Sequence, residues 1–204
     1  MKLESLQVGL IGTNCYLIAD ESADNAAAVI DPGGNADMIL AAAKRAGMDI
    51  QIILLTHGHF DHVMGVPDLL KALPGIPVYI AEVDYPEARD GGAFGYCMGP
   101  VDTIRFFDEG DTVTLGNLKI DVLRTPGHTR GSVTLRVEDC LFSGDTLFCG
   151  SCGRTDLPGG DFRAMQRSLK RLSDLPGDFR VYPGHDSSTT LERERRYNPF
   201  MQRM

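Results

Sequence analysis

Short apolar runs separated by turn residues set the pattern of this chain from its first residues. Residues 3–8, 14–19 and 27–31 alternate or run apolar between Gly, Asn and Asp, which predicts three antiparallel strands closed by Asp31-Pro32-Gly33-Gly34. A helix should follow, capped by Asn35, with Ile39, Ala42, Ala43 and Ala46 on one face and Gly47 at its end. Residues 50–55 are almost unbroken apolar, the mark of a strand buried on both faces. Val66, Leu69, Leu70 and Leu73 space out a short helix stopped at Pro74, and 77–81 reads as a strand. Residues 84–101, rich in Gly and aromatics, suit a helix and a loop beside a pocket.

Strands at 113–115, 118–125, 132–137 and 140–143 come next. Asp161 should cap a helix with Phe162, Met165, Leu169 and Leu172 on its inner face, before a closing strand at 180–182. The alternating charges of 192–196 read as a solvated helical face, ended by Asn198-Pro199 with Phe200 docked inward. Many strands with a few outer helices predict an α+β fold of sheets packed under helices, in one domain over 1–204.

Composition narrows the function classes. No apolar run is long enough to cross a bilayer, and Glu4 interrupts the first run, so the N-terminus reads as a strand rather than a signal peptide. A net charge of −8 gives no basic footprint for nucleic acid and confines any anion site to a few placed Arg or Lys. Five cysteines without a framework suit a reducing, cytoplasmic compartment. Cys149 and Cys152 form a lone Cys-x-x-Cys, read as small, half-buried loop residues.

The histidines carry the chemistry. The chain has only five: three in Thr56-His57-Gly58-His59-Phe60-Asp61-His62 and one each in Pro126-Gly127-His128 and Pro183-Gly184-His185. With Asp145 of Ser143-Gly144-Asp145, every one follows an apolar strand, where side chains are held at one rim of a sheet. Imidazole and carboxylate are the donor set for zinc and similar divalent ions. Four candidates within six residues crowd a single ion; His57 and His59 point together, while Asp61 and His62 lie past a turn and can serve a second.

These motifs resemble the metallo-β-lactamase superfamily, and within it the glyoxalase II-like hydroxyacylglutathione hydrolases. The likeness includes Thr13-Asn14-Cys15-Tyr16-Leu17, Val29-Ile30-Asp31-Pro32-Gly33, Thr56 to His62, and Thr125-Pro126-Gly127-His128-Thr129 with Gly131-Ser132. It continues through Phe142-Ser143-Gly144-Asp145-Thr146-Leu147-Phe148 and Gly153-Arg154-Thr155-Asp156 to Tyr182-Pro183-Gly184-His185. It implies an αββα sandwich. His57, His59 and His128 would hold one metal and Asp61, His62 and His185 another, with Asp145 between them. The metals implied are two divalent ions, zinc first, with iron or manganese as alternatives. His59 stands where flavodiiron oxygen reductases have Glu. The chain ends at Met204, soon after His185, so the expectation is the short form that lacks the C-terminal helical region of the long enzymes.

Such a site activates a water to attack an acyl carbonyl, with Asp61 orienting it. A thioester suits it, because a thiolate leaves without a strong acid and no sixth histidine is present to supply one. The expected partner is a small acyl-thiol such as S-lactoylglutathione, with no nucleic acid or membrane; the oligomeric state is not legible. Arg154 matches a substrate-carboxylate lysine of the long enzymes, though it could equally bridge to Asp156. Asp31 could fix a ligand histidine or simply cap its turn. The main rival is a mononuclear-iron persulfide dioxygenase using His57, His128 and Asp145; a β-lactamase, a nuclease or a non-enzymatic metal protein fit less well.

Overall fold

A computed structural model describes residues 1–92 and 95–202. Ala93 and Phe94, within the glycine-rich stretch, and the last two residues lie outside the described part. The chain opens with β1 (Lys2–Val8), β2 (Thr13–Asp20) and β3 (Ala26–Ile30), then α1 (Ala36–Ala46), β4 (Asp49–Leu54), α2 (Phe60–Val63) and α3 (Val66–Ala72). Next are β5 (Val78–Ala81), a 3₁₀ turn (Glu82–Asp84), α4 (Tyr85–Asp90), β6 (Ile104–Phe107), β7 (Thr112–Leu115), β8 (Leu118–Arg124), β9 (Val133–Val137) and β10 (Cys140–Gly144). The remainder is a hairpin of β11 (Leu147–Phe148) and β12 (Ser151–Cys152), α5 (Phe162–Ser173), β13 (Arg180–Pro183), β14 (Thr189–Thr190), α6 (Leu191–Tyr197) and α7 (Pro199–Gln202).

Two six-stranded sheets result, ordered β1-β2-β3-β4-β5-β6 and β14-β13-β10-β9-β8-β7. The first is antiparallel over β1–β3 and parallel from β3 to β6. In the second, β10 and β13 run parallel, so both end at the same rim. Strand period explains the layers. Tyr16 and Ile18 of β2 face Ile120, Val122, Leu135 and Phe142 of the other sheet, in a core between the two. Leu17 and Ala19 point the opposite way, onto Ile39 and Ala43 of α1 and Leu69 of α3. The far face of the second sheet, with Leu141 and Val181, packs on Met165, Leu169 and Leu172 of α5 and Met201 of α7. The fold is an αββα sandwich; β2 and β3 are buried along their whole length because both faces are covered, whereas β4 is so only from Ile52 to Leu54, its Asp49 and Gln51 being exposed. Among the described residues no helix is long and apolar enough to cross a membrane.

Several local expectations need correction. Asn35 does not cap α1 with its side chain; it takes a left-handed backbone and its Oδ1 accepts the Gly9 N–H. Phe162 begins α5 exposed, so the inner face is Met165, Leu169 and Leu172. The 192–196 run is not wholly solvated, because Glu194 is fully buried, and Met201 rather than Phe200 docks at the C-terminus. Neither β6 nor the β11–β12 hairpin was expected: each is four residues or fewer and gains its identity from pairing.

Candidate metal centre

Four strand ends converge at one rim. The loop after β4 brings His57 and His59, and α2 carries Asp61 and His62. The turns after β8, β10 and β13 bring His128, Asp145 and His185. Their donor atoms form three overlapping groups, each within 4.8 Å: His57/His59/His128, His57/His62/Asp145 and Asp61/His62/His185. Every predicted metal residue is therefore in one cluster. Asp145 sits between its halves: Oδ2 lies 3.4 Å from His128 Nε2 and 3.6 Å from His185 Nε2, while Oδ1 lies 3.4 Å from His62 Nε2. The approach is close because Gly184 has no side chain; a Cβ there would stand 2.3 Å from Asp145 Oδ1.

The residues fit a cation. His57 Nε2, His62 Nε2 and Asp145 Oδ1 are buried and make no hydrogen bond. Leaving such atoms bare is costly, and three together facing one centre suit a bound cation. The opposite ring nitrogens are occupied: His57 Nδ1 lies 3.2 Å from Thr56 Oγ1, His62 Nδ1 2.9 Å from Asp31 Oδ2 and His128 Nδ1 2.7 Å from the Arg154 carbonyl. A proton held on Nδ1 leaves the Nε2 lone pair aimed inward.

The electrostatics agree. Burial, reinforced by neighbouring imidazoles, pushes His57 well below the usual histidine range and His59 to about 4, so both are neutral donors. For His62 burial acts downward too, but Asp31, Asp61 and Asp145 outweigh it and raise it. Burial favours the neutral acid at Asp61 and Asp145, yet the His62 charge overrides it and lowers both. A dry cluster of carboxylates demands positive charge.

Asp31 contacts one of the candidate ligand histidines, His62. Its Oδ1 accepts the Thr56 N–H at 2.8 Å, and its Oδ2 faces Thr56 Oγ1 and His62 Nδ1. Other braces were not singled out from sequence. Thr13 Oγ1 donates to Asp61 Oδ2 at 3.0 Å. Asn14 Nδ2 donates to the carbonyls of Pro183 and Asp186, and Tyr16 Oη to Pro183, pinning the His185 turn to β2. Thr13, Asn14 and Tyr16 were visible only as part of a resembling strand; the available signal was the buried-strand start Thr13-Asn14 directly before the apolar run from Cys15.

A cavity of about 600 Å³ opens above the cluster, with His59, Asp61, His128, Asp145 and His185 at its floor. Ile11, Phe60, Phe148 and Leu157 give it apolar walls, and Arg154 lines its mouth. The bridge from Arg154 to Asp156 is present, two-pronged at 2.7 and 2.8 Å, and the same side chain lines the cavity. Cys152 also lines the wall, its thiol pushed up to about 11 by burial, and both Cys149 and Cys152 are free and half-buried.

Comparison with known proteins gives a consistent picture. Residues 8–185 match the Metallo-beta-lactamase superfamily. A hydroxyacylglutathione hydrolase, GloC, from Haemophilus influenzae is 33% identical over 98% of this chain and 98% of its own. The crystal structure of TTHA1623 in a di-iron-bound form superposes with a TM-score of 0.85, at 39% identity, covering 97% of this chain and 99% of that one. That of the B3 metallo-beta-lactamase BLEG-1 gives 0.84 at 33% identity, covering 98% and 99%.

Proposed function

The chain belongs to the metallo-beta-lactamase superfamily, and from that membership we propose that it hydrolyses small acyl-thiols of the S-lactoylglutathione kind at a two-ion centre. In this reading His57, His59 and His128 would hold one ion and Asp61, His62 and His185 the other, with Asp145 placed to serve both. Zinc is the first candidate; the di-iron-bound relative keeps iron beside it. Bound there, divalent ions supply a water acidic enough to act as hydroxide at neutral pH and positive charge for the acyl oxygen.

The chain's own residues do the rest. Asp61, held at Oδ2 by Thr13, lines the cavity floor, where it can accept a hydrogen bond from the attacking water and orient it. Ile11, Phe60, Phe148 and Leu157 exclude bulk water from the acyl group. Arg154 offers a planar donor pair at the mouth to a substrate carboxylate.

One observation carries the choice of thioester. All five histidines stand in the donor cluster or its groups, so none is left to protonate a poor leaving group. A thiolate needs no such help. The relative named as a hydroxyacylglutathione hydrolase supports the same reading. The test is one metal-loaded preparation assayed for ion content, for turnover of a thioester panel and of a β-lactam, and for oxygen uptake with a persulfide. Thioester turnover with about two ions per chain is expected. No thioester turnover beside clear β-lactam hydrolysis or persulfide-dependent oxygen uptake would sink the reading.

A further inference from the structure

Asp84 is a carboxylate outside every donor group of the centre, yet all its bonds fall on that centre's loops. It closes the 3₁₀ turn after β5 and is 4% exposed. Its Oδ2 accepts from Thr129 Oγ1 at 2.7 Å and from the Gly58 N–H at 3.1 Å, and its Oδ1 from the Gly131 N–H at 2.8 Å. Gly58 lies between His57 and His59, and Thr129 follows His128. The three histidines flanking those contacts are the His57/His59/His128 group. The loops press directly on the residue: a Cβ on Gly58 would lie 2.5 Å from the Asp84 carbonyl oxygen, and one on Gly131 2.5 Å from Asp84 Oδ1. Asp31 braces the other half directly, at His62, and touches this one only through Thr56, beside His57.

We propose that Asp84 is the positioning residue of the His57/His59/His128 half of the centre, clamping the turn between two histidines against the loop of the third. The inference rests on the two-ion reading above. It separates the halves, because among the described residues the Asp84 carboxylate bonds only to Gly58, Thr129 and Gly131 and not to the loops of Asp145 or His185. In Asp84→Asn, the amide oxygen can keep Gly131, and the amide NH₂ can donate to Thr129 Oγ1. It then meets the Gly58 N–H donor to donor, so the His57–His59 turn is released. Thr129→Val keeps the carboxylate and removes one strut.

The test titrates zinc alone into the metal-stripped full chain, wild type and both variants, by calorimetry with a competing chelator. The thermal midpoint of the stripped chain is recorded in parallel. Wild type is expected to take two ions. Asp84→Asn should keep one of wild-type affinity and bind the other about 10–100-fold more weakly, with Thr129→Val shifted less in the same direction. A purely structural role would lower the stripped-chain midpoint and leave both affinities unchanged, which overturns the proposal. Should Asp84→Asn not fold, the Thr129→Val titration decides by the same criterion. A wild-type chain that takes only one ion refutes the two-ion reading itself and is told apart by that count.

Discussion

Arg154 uses two parts of itself for two jobs. Its carbonyl accepts from His128 Nδ1, while its guanidinium lines the cavity and bridges to Asp156. Arg154→Ala keeps the carbonyl, so ion content should stay at the wild-type value. Losing a charged hydrogen bond to a substrate carboxylate, worth about 1.5–3 kcal/mol, should raise KM at least roughly tenfold with kcat little changed. The exposed Asp156 bridge adds little stability, so the thermal midpoint should barely move. Steady-state kinetics with metal analysis checks both; a fall in kcat alone would count against substrate binding. Asp31 supports a second prediction. Its φ of 52° is one that Asn tolerates, so Asp31→Asn should fold. An Asn NH₂ facing His62 Nδ1 would favour the tautomer with its proton on Nε2, which cannot bind an ion. Retained metal after dialysis should fall, with affinity about 10–100-fold weaker; full retention would leave Asp31 as a turn residue only.

The β11–β12 hairpin shows how distant elements shape the cavity. It carries Phe148 and Cys152 on the wall and is tied to α6 by the buried Glu194, which accepts from Gly150 N and Thr189 Oγ1 at 2.7 Å and from Asn198 Nδ2 at 3.0 Å. Asn198 Nδ2 also donates to the Ser151 carbonyl at 2.9 Å. Glu194→Leu strands those donors at a cost of about 1–3 kcal/mol each when buried. For a chain of this size roughly 2–4 °C is lost per kcal/mol, so calorimetry should show a fall of at least about 4 °C. Loosening the wall should also raise KM without changing ion content. Sequence could not anticipate this. Glu194 sits in a run of alternating charge, and Gly150, Thr189 and Asn198 meet it from separate segments. What was legible was local. The apolar runs of β2, β3 and β4 stand between turn residues, and the histidines and Asp145 stand just past strands. Asp84 obeys the same strand-end rule but lies in no metal-ligand pattern, so only its three bonds reveal it. β6 escaped because a four-residue strand is defined by its parallel neighbour β5, a pairing no local signal encodes.

At the scale of the molecule, the centre lies on the seam between the two sheets. His57, His59, Asp61 and His62 follow a strand of the first sheet; His128, Asp145 and His185 follow strands of the second. At the opposite rim a hydrogen bond spans the seam: Asp20, buried at the end of β2, accepts the Asn117 N–H at 2.6 Å from the β7–β8 turn. Ion binding at one rim is therefore also stabilisation of the sandwich. A site held at about 1,000 times its Kd contributes about 4 kcal/mol, so stripping the ions should lower the thermal midpoint by roughly 8–16 °C per site. The midpoint should climb again with added zinc. The loss should also be one-sided. With bare donors repelling or unpaired, the ends of β4, β8, β10 and β13 should exchange backbone hydrogens faster in the stripped chain. The turns around Asp20 and Asn117, fixed by their own bonds, should keep their protection. Hydrogen exchange of loaded and stripped chain measures this directly. A uniform rise across both rims would mean that the ions stabilise the whole sandwich through global unfolding alone, and that the seam does not open from the metal end.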